Sequence, residues 1–175
     1  RHDGCSTESV EEAEVVAREV DRMLGTVWTN QHGETRPLEA ADIMVVAPYN
    51  DQVNLIGRTL FDRGLGDVPV GTVDRFQGQE AAVVFYTMTA SSTADAPRGV
   101  GFLFSQNRLN VAISRARCLA FLVSTPNLFN VKAGSVSTMR LLANLCAFRH
   151  EANVAISPAG VRAAGRDQSP SVRHG

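Results

Sequence analysis

A chain of 175 residues has room for one principal hydrophobic core and is too short for two large independent ones. With 44% hydrophobic and 20% charged residues it excludes a largely disordered chain or a collagen-like fibre, and no apolar run approaches the roughly 20 residues of a membrane span. The net charge of -1 conceals an asymmetry: residues 96–150 hold no Asp or Glu but carry Arg98, Arg108, Arg115, Arg117, Lys132, Arg140 and Arg149, whereas the remainder has 10 Lys+Arg against 18 Asp+Glu. Either that stretch meets anions, or folding brings it acidic partners from the other part of the chain.

Arg1 and His2 lead straight into a polar, acidic segment unlike a signal peptide, so a cytoplasmic location is expected. The spacing then predicts a helix over 6–24. Val10, Ala13, Val16, Ala17, Val20 and Leu24 recur at three and four, and Glu8, Glu11, Glu12 and Glu14 load its start, where the helix dipole favours negative charge. Residues 30–42, with Gly33 and Pro37, read as a loop or excursion. A strand follows at 43–47 and Pro48 stops it; Asn50 is expected to cap a helix to about 63 with Val53, Ile56 and Leu60 on one face.

Strands are predicted at 68–73 and 82–88, either side of a glycine-containing turn, and 90–101 reads as a mobile loop around Pro97. A helix over 105–116 leads to a strand at 118–124, whose near-continuous hydrophobicity predicts burial on both faces. Thr125 and Pro126 open a short helix, and the last helix runs over 136–151. The domain is therefore assigned to 1–151, with 152–175, rich in Gly, Ala, Ser, Pro and Arg, as a partly flexible tail. Cys118 and Cys146 fall in apolar periods and are expected to be small buried hydrophobes; with Cys5 far away, neither a disulfide scaffold nor a zinc site is indicated. The alternation of strand and helix predicts an α/β fold, a mostly parallel sheet with helices on both faces. In such sheets ligands gather at the carboxyl ends of strands, which directs attention to the segments after Ala47, Val73 and Met88 and to the helix before Cys118.

Three segments carry chemistry. In VGTVDRFQGQE, Thr72 ends a strand, Gly78 stands where a side chain would block close approach of a phosphate or another backbone, and Glu80 emerges beside the turn. That carboxylate suits ribose hydroxyls or a magnesium-bound water, but the segment also suits a plain strand connection. In SQNRLNVAISRAR, Leu109, Ala112, Ile113 and Ala116 form an apolar stripe with Arg108 and Arg115 on its border. No acidic residue of that helix pairs with them, so two guanidinium groups are offered to something else, unless they merely cover the helix flank. In VVAPYNDQ, a strand, Pro48, Tyr49 and a polar helix start at Asn50 form a loop able to bind phosphate, or one whose Tyr49 is a core-edge aromatic.

Taken in this order, the three segments resemble motifs IV, V and VI of superfamily 1B helicases, in the branch of the nonsense-mediated-decay and Okazaki-fragment-processing helicases. Ala47-Pro48-Tyr49-Asn50-Asp51-Gln52 resembles A/T-P-Y-x-x-Q, Val73 to Glu80 resembles V-D-x-F-Q-G-x-E, and Asn110 to Arg117 resembles N-V-A-x-S/T-R-A-R/K. The resemblance implies a second RecA-like motor domain, of the P-loop NTPase type. ATP and Mg2+ would lie between it and a preceding N-terminal RecA-like domain. Arg115 would match the arginine finger, and Gly78 and Glu80 would lie beside the nucleotide. Pro48, Tyr49, Asn50 and Thr72 would lie on the side of a single-stranded DNA or RNA. It also implies 5′ to 3′ travel.

One departure is large. No G-x-x-x-x-G-K-S/T loop is present, and the single lysine, Lys132, lies in VKAG. The chain is therefore expected to be part of a larger protein and to lack ATPase activity alone. The alternative expectation is a non-motor nucleic-acid-binding or interaction module that retains the fold. No metal-ligating residues and no membrane partner are indicated.

Overall fold

Apolar strands and amphipathic helices assemble here into one parallel sheet with a helical layer on each face. In the computed structural model, residues 7–89, 106–129 and 136–152 are described. They comprise α1 (Val10–Met23), a hairpin of β1 (Val27–Thr29) and β2 (Thr35–Pro37), β3 (Ile43–Val46), α2 (Asn50–Asp62), β4 (Val70–Gly71), β5 (Ala81–Thr87), α3 (Gln106–Ser114), β6 (Ala116–Val123) and α4 (Val136–Glu151). The sheet order is β4-β3-β5-β6, parallel throughout.

The two faces follow from the pleat. Ile43, Val45, Val83 and Phe85 point to one side, where Val16, Ala17 and Val20 of α1 and Ile56 and Leu60 of α2 cover them. Met44, Val46, Val84 and Tyr86 point to the other, against Phe76, Leu109, Ala112, Leu128 and Leu142. The predicted sheet with helices on both faces is thus the observed one.

Several boundaries move for physical reasons. α1 starts at Val10 because the Ser9 side chain caps it, accepting from the Glu12 N–H at 3.2 Å. Asn50 is the first residue of α2 and not its cap; Tyr49 holds the cap position, with no side-chain capping bond. The strand expected at 68–73 shrinks to Val70–Gly71, because Val73–Phe76 turns into a 3₁₀ helix. The excursion over 30–42 holds β2, paired antiparallel with β1, and a 3₁₀ turn at Ala40–Asp42.

The prediction of burial on both faces fails for β6. It is the edge strand of the described sheet, and Arg117, Cys118 and Leu119 are exposed. Cys118 there, and Cys146 in α4, are exposed free thiols and not core residues. An apolar run signals a strand, but not which neighbour the strand lacks. The expected loop at 90–101, the tail beyond 152 and Cys5 lie outside the described residues. Among the described residues no helix is long and apolar enough to cross a membrane.

Candidate functional site

The candidate residues separate onto opposite ends of the sheet. Val46 pairs with Gly71 and with Tyr86, so the chain leaving β3 and the chain leaving β4 emerge together at the carboxyl edge. The Ala47 N–H donates to the Gly71 carbonyl at 3.0 Å and joins them. Pro48 and Tyr49 are buried there, and Tyr49 packs in the same core cluster as Phe76. Asn50 is exposed, and Thr72 is half-buried with its carbonyl accepting from the Arg75 N–H at 3.1 Å. The polar surface of this edge thus comes from Asn50 and Thr72, braced by a buried aromatic.

Gln52 and Glu12 anchor that edge from below. The Gln52 side chain is wholly buried, accepts from the Ser9 N–H at 2.6 Å and donates to the Ser9 carbonyl at 3.2 Å. Glu12, in the first turn of α1, accepts through Oε2 from the Met88 N–H at 3.1 Å and the Thr89 N–H at 2.9 Å. Burial pushes its carboxyl up to about 8, against the lowering effect of the Thr89 and Met88 N–H groups. One turn of α1 therefore ties the exits of β3 and β5 together. The acidic helix start reads from sequence as a dipole effect, but Glu12 faces inward. Only its place in the apolar repeat, one residue before Ala13, could have indicated this.

At the amino edge, β5 and β6 begin side by side, with Ala81 opposite Ala116. The residues just before them, Gln79 and Glu80 on one side and Arg115 on the other, are joined by the Ala81 N–H donating to the Arg115 carbonyl at 3.0 Å. Arg115 Nη1 donates to the Gln79 carbonyl at 3.2 Å, while its Nε is shielded from solvent and has no hydrogen-bond partner among the described residues. Arg117 Nε donates to Glu80 Oε2 at 2.9 Å. This location corrects the expectation that the segment after Val73 lies at the carboxyl end of a strand, whereas Arg115 closes the helix before β6. The 3₁₀ turn after β4 carries the chain back along the sheet, so Gly78 and Glu80 reach its opposite end.

Gly78 has φ +81°, and no protein atom lies within 4 Å of where a Cβ would stand. Its left-handed backbone, and not the approach of another backbone, calls for glycine. A close approach occurs instead at Gly71, where a Cβ would meet Arg75 Cδ at 2.6 Å and Phe76 Cε2 at 3.0 Å.

The charge asymmetry is partly resolved here. Arg117 takes its partner, Glu80, from the acid-rich part of the chain, whereas Arg115 forms no ion pair among the described residues. Asp42, also at the amino edge, is held below the usual carboxylate range chiefly by its hydrogen bond from Arg36, with Arg117 adding a smaller effect. Arg36 grips it with two bonds of 2.6 Å and stacks over Trp28, 5.3 Å from the ring centroid. Arg108 lies in α3, but its side chain is outside the described residues. Among the described residues no group of three His, Cys, Asp or Glu is placed to hold a metal ion. Arg117 ends the segment Asn110 to Arg117, but nothing in its spacing indicates the pairing with Glu80.

A four-stranded parallel sheet with helices on both faces, and arginines gathered where β5 and β6 begin, describes a RecA-like α/β domain of the P-loop NTPase type. A family model described as an AAA domain matches residues 1–127, and the chain belongs to that family as a superfamily 1 helicase domain. It is similar to the DNA polymerase alpha-associated DNA helicase A of Schizosaccharomyces pombe, at 45% identity over 80 residues, covering 46% of this chain and 12% of that protein. The human RNA helicase Mov10l1 is 35% identical over 99 residues, 55% of this chain and 8% of that protein. The rat DNA-binding protein SMUBP-2 is 40% identical over 80 residues, 46% of this chain and 8% of that protein. The match thus spans about a tenth of the length of these relatives.

Proposed function

We propose that the chain is the C-terminal motor half of an ATP-dependent DNA or RNA helicase. It supplies an arginine finger and part of the surface that holds a single strand. The observation that carries this reading is Arg115. Its guanidinium donates to the Gln79 carbonyl where two adjacent strands begin, with a shielded Nε lacking a hydrogen-bond partner among the described residues. Such a group is fitted to an anion brought from outside, and an always-charged planar fork suits the charge that develops on a transferred phosphoryl group.

ATP with Mg2+ supplies that phosphoryl group when bound between this domain and a preceding RecA-like domain of the same protein, which carries the phosphate loop. Gly78 and Glu80 flank the nucleotide. At the opposite edge, Asn50, which opens α2 after the buried Pro48 and Tyr49, and Thr72, which follows β4, hold the sugar-phosphate strand without reading its bases. The names of the relatives, which include a DNA helicase and an RNA helicase, support a nucleic-acid substrate of either kind. The isolated chain, with half of each site, is inactive.

The test is ATP hydrolysis by the full parent protein, with and without single-stranded DNA or RNA, for wild type and Arg115→Ala at matched folding stability. Stimulated turnover that falls by roughly 10³ or more in the variant is the expected result. Turnover that is not stimulated, or that survives the substitution, refutes the motor reading and leaves a binding module.

A further inference from the structure

The amino edge holds a second arginine whose geometry is as specific as that of Arg115. Along β5 and β6 the register shifts between Ala81 and Val83: Ala81 faces Ala116 but Val83 faces Leu119, so Arg117 and Cys118 stand against Ala82 alone. An extra residue of this kind bends the strand and re-aims a side chain. Here it accompanies the turning of Arg117 Nε onto Glu80 Oε2. The other carboxylate near Arg117 is already committed, because Asp42 is held by two bonds from Arg36. Arg117 and Glu80 are each about half exposed, at 50% and 52%, where an ion pair adds little to stability. The pair is therefore poorly explained as a structural staple.

We infer that Arg117 is a positioning residue for nucleotide recognition, which aims the Glu80 carboxylate at the ribose and offsets its charge against the triphosphate. This rests on the proposed placement of Glu80 beside the nucleotide. A free glutamate rotates about three bonds, and a bare carboxylate beside a polyphosphate repels it. A guanidinium bonded through Nε limits the first and screens the second while leaving the other carboxylate oxygen to accept from a hydroxyl. Arg115 and Arg117 thus divide the same segment, one on the Gln79 carbonyl and one on the Glu80 side chain.

The experiment measures steady-state ATP, 2′-deoxyATP and 3′-deoxyATP hydrolysis by the full parent protein carrying Arg117→Ala, Arg117→Lys, Glu80→Gln and the Arg117→Ala/Glu80→Gln pair. Thermal melting confirms that each variant is folded. Arg117→Ala is expected to raise KM for ATP about fivefold while kcat falls less than twofold, and to lower the preference for ATP over whichever deoxy analogue the wild type discriminates against. Arg117→Lys recovers part of the loss, and the double variant is no worse than Glu80→Gln, since both act through one carboxylate. If Glu80→Gln alters the ribose preference but Arg117→Ala does not, or if the two losses multiply, the role of Arg117 is overturned and that of Glu80 stands. If Glu80→Gln leaves the preference intact, both fall.

Discussion

Glu12→Gln tests whether a buried carboxyl governs the stability of this fold through pH. Glu12 is almost fully buried, and burial raises its carboxyl from about 4.5 to about 8. A carboxyl whose folded value lies above its unfolded one is protonated in the native state while the unfolded chain is already ionised. Between those two values the native state binds the extra proton, so stability is fully present below about 4.5 and is lost as pH rises through about 8. At about 1.4 kcal/mol per pH unit, that interval corresponds to a loss of at most about 5 kcal/mol, a large part of the 5–15 kcal/mol typical of a domain. Glutamine keeps an oxygen for the Met88 and Thr89 N–H groups and carries no charge at any pH. Urea unfolding of both proteins at pH 5, 6.5 and 8.5 should therefore give nearly equal stabilities at pH 5 and a variant more stable by a few kcal/mol at pH 8.5. Parallel pH profiles, or a variant less stable at pH 8.5, would show that the carboxylate is held ionised by its two donors and that the burial argument is wrong.

Other perturbations test other parts of the frame. Gln52→Ala removes both bonds to Ser9 and should lower stability by about 2–3 kcal/mol in urea titration, against a negligible change for the neighbouring exposed Asp51→Ala. Gly71→Ala forces Arg75 and Phe76 aside and should cost about 1–3 kcal/mol, whereas Gly78→Ala, strained only by its φ of +81°, should cost about 1 kcal/mol; a larger loss at Gly78 would contradict the contact geometry. Cys118 and Cys146 should react with a thiol reagent in the native protein without denaturant, and protection of either until unfolding would contradict its exposure.

What the sequence disclosed and what it concealed divide along the range of the forces involved. The repeat Ala13, Val16, Ala17 and Val20 announced the buried face of α1, and Ile56 and Leu60 that of α2, because a helix face is set by local spacing alone. The short run of 43–47 was legible as a strand for the same reason. By contrast, the apolar run 118–123 of β6 lies at the edge of the described sheet, because its exposure depends on whether another strand lies beside it, which no residue in the run specifies. The hairpin of β1 and β2 has no signature in the sequence, because strands of three residues are too short to display a period.

The position of the site followed the same division. The motif residues were visible as a pattern, but the rule placing ligands at carboxyl ends assumes that a loop stays where its strand ends. Val73–Phe76 turns instead, packs Phe76 into the core, and carries Glu80 to the amino edge, where β6 also begins. The residues proposed for the nucleotide side and for the single-strand side thereby lie toward the two ends of β5, some six residue steps apart. Met88 and Thr89 at one end are clamped by Glu12, and Ala81 at the other is bonded to Arg115. In the proposed motor, a shift of Arg115 toward phosphate pulls on the first residue of a strand whose far end is anchored to α1. That strand is buried along its whole length and cannot stretch, so it transmits displacement as a rigid element. The buried clamp at Glu12 is thus the expected place for coupling between the two edges to fail. Glu12→Ala, unlike Glu12→Gln, should weaken the stimulation of ATP turnover by single strands more than it weakens unstimulated turnover. An equal effect on both would mean that the edges communicate by another route.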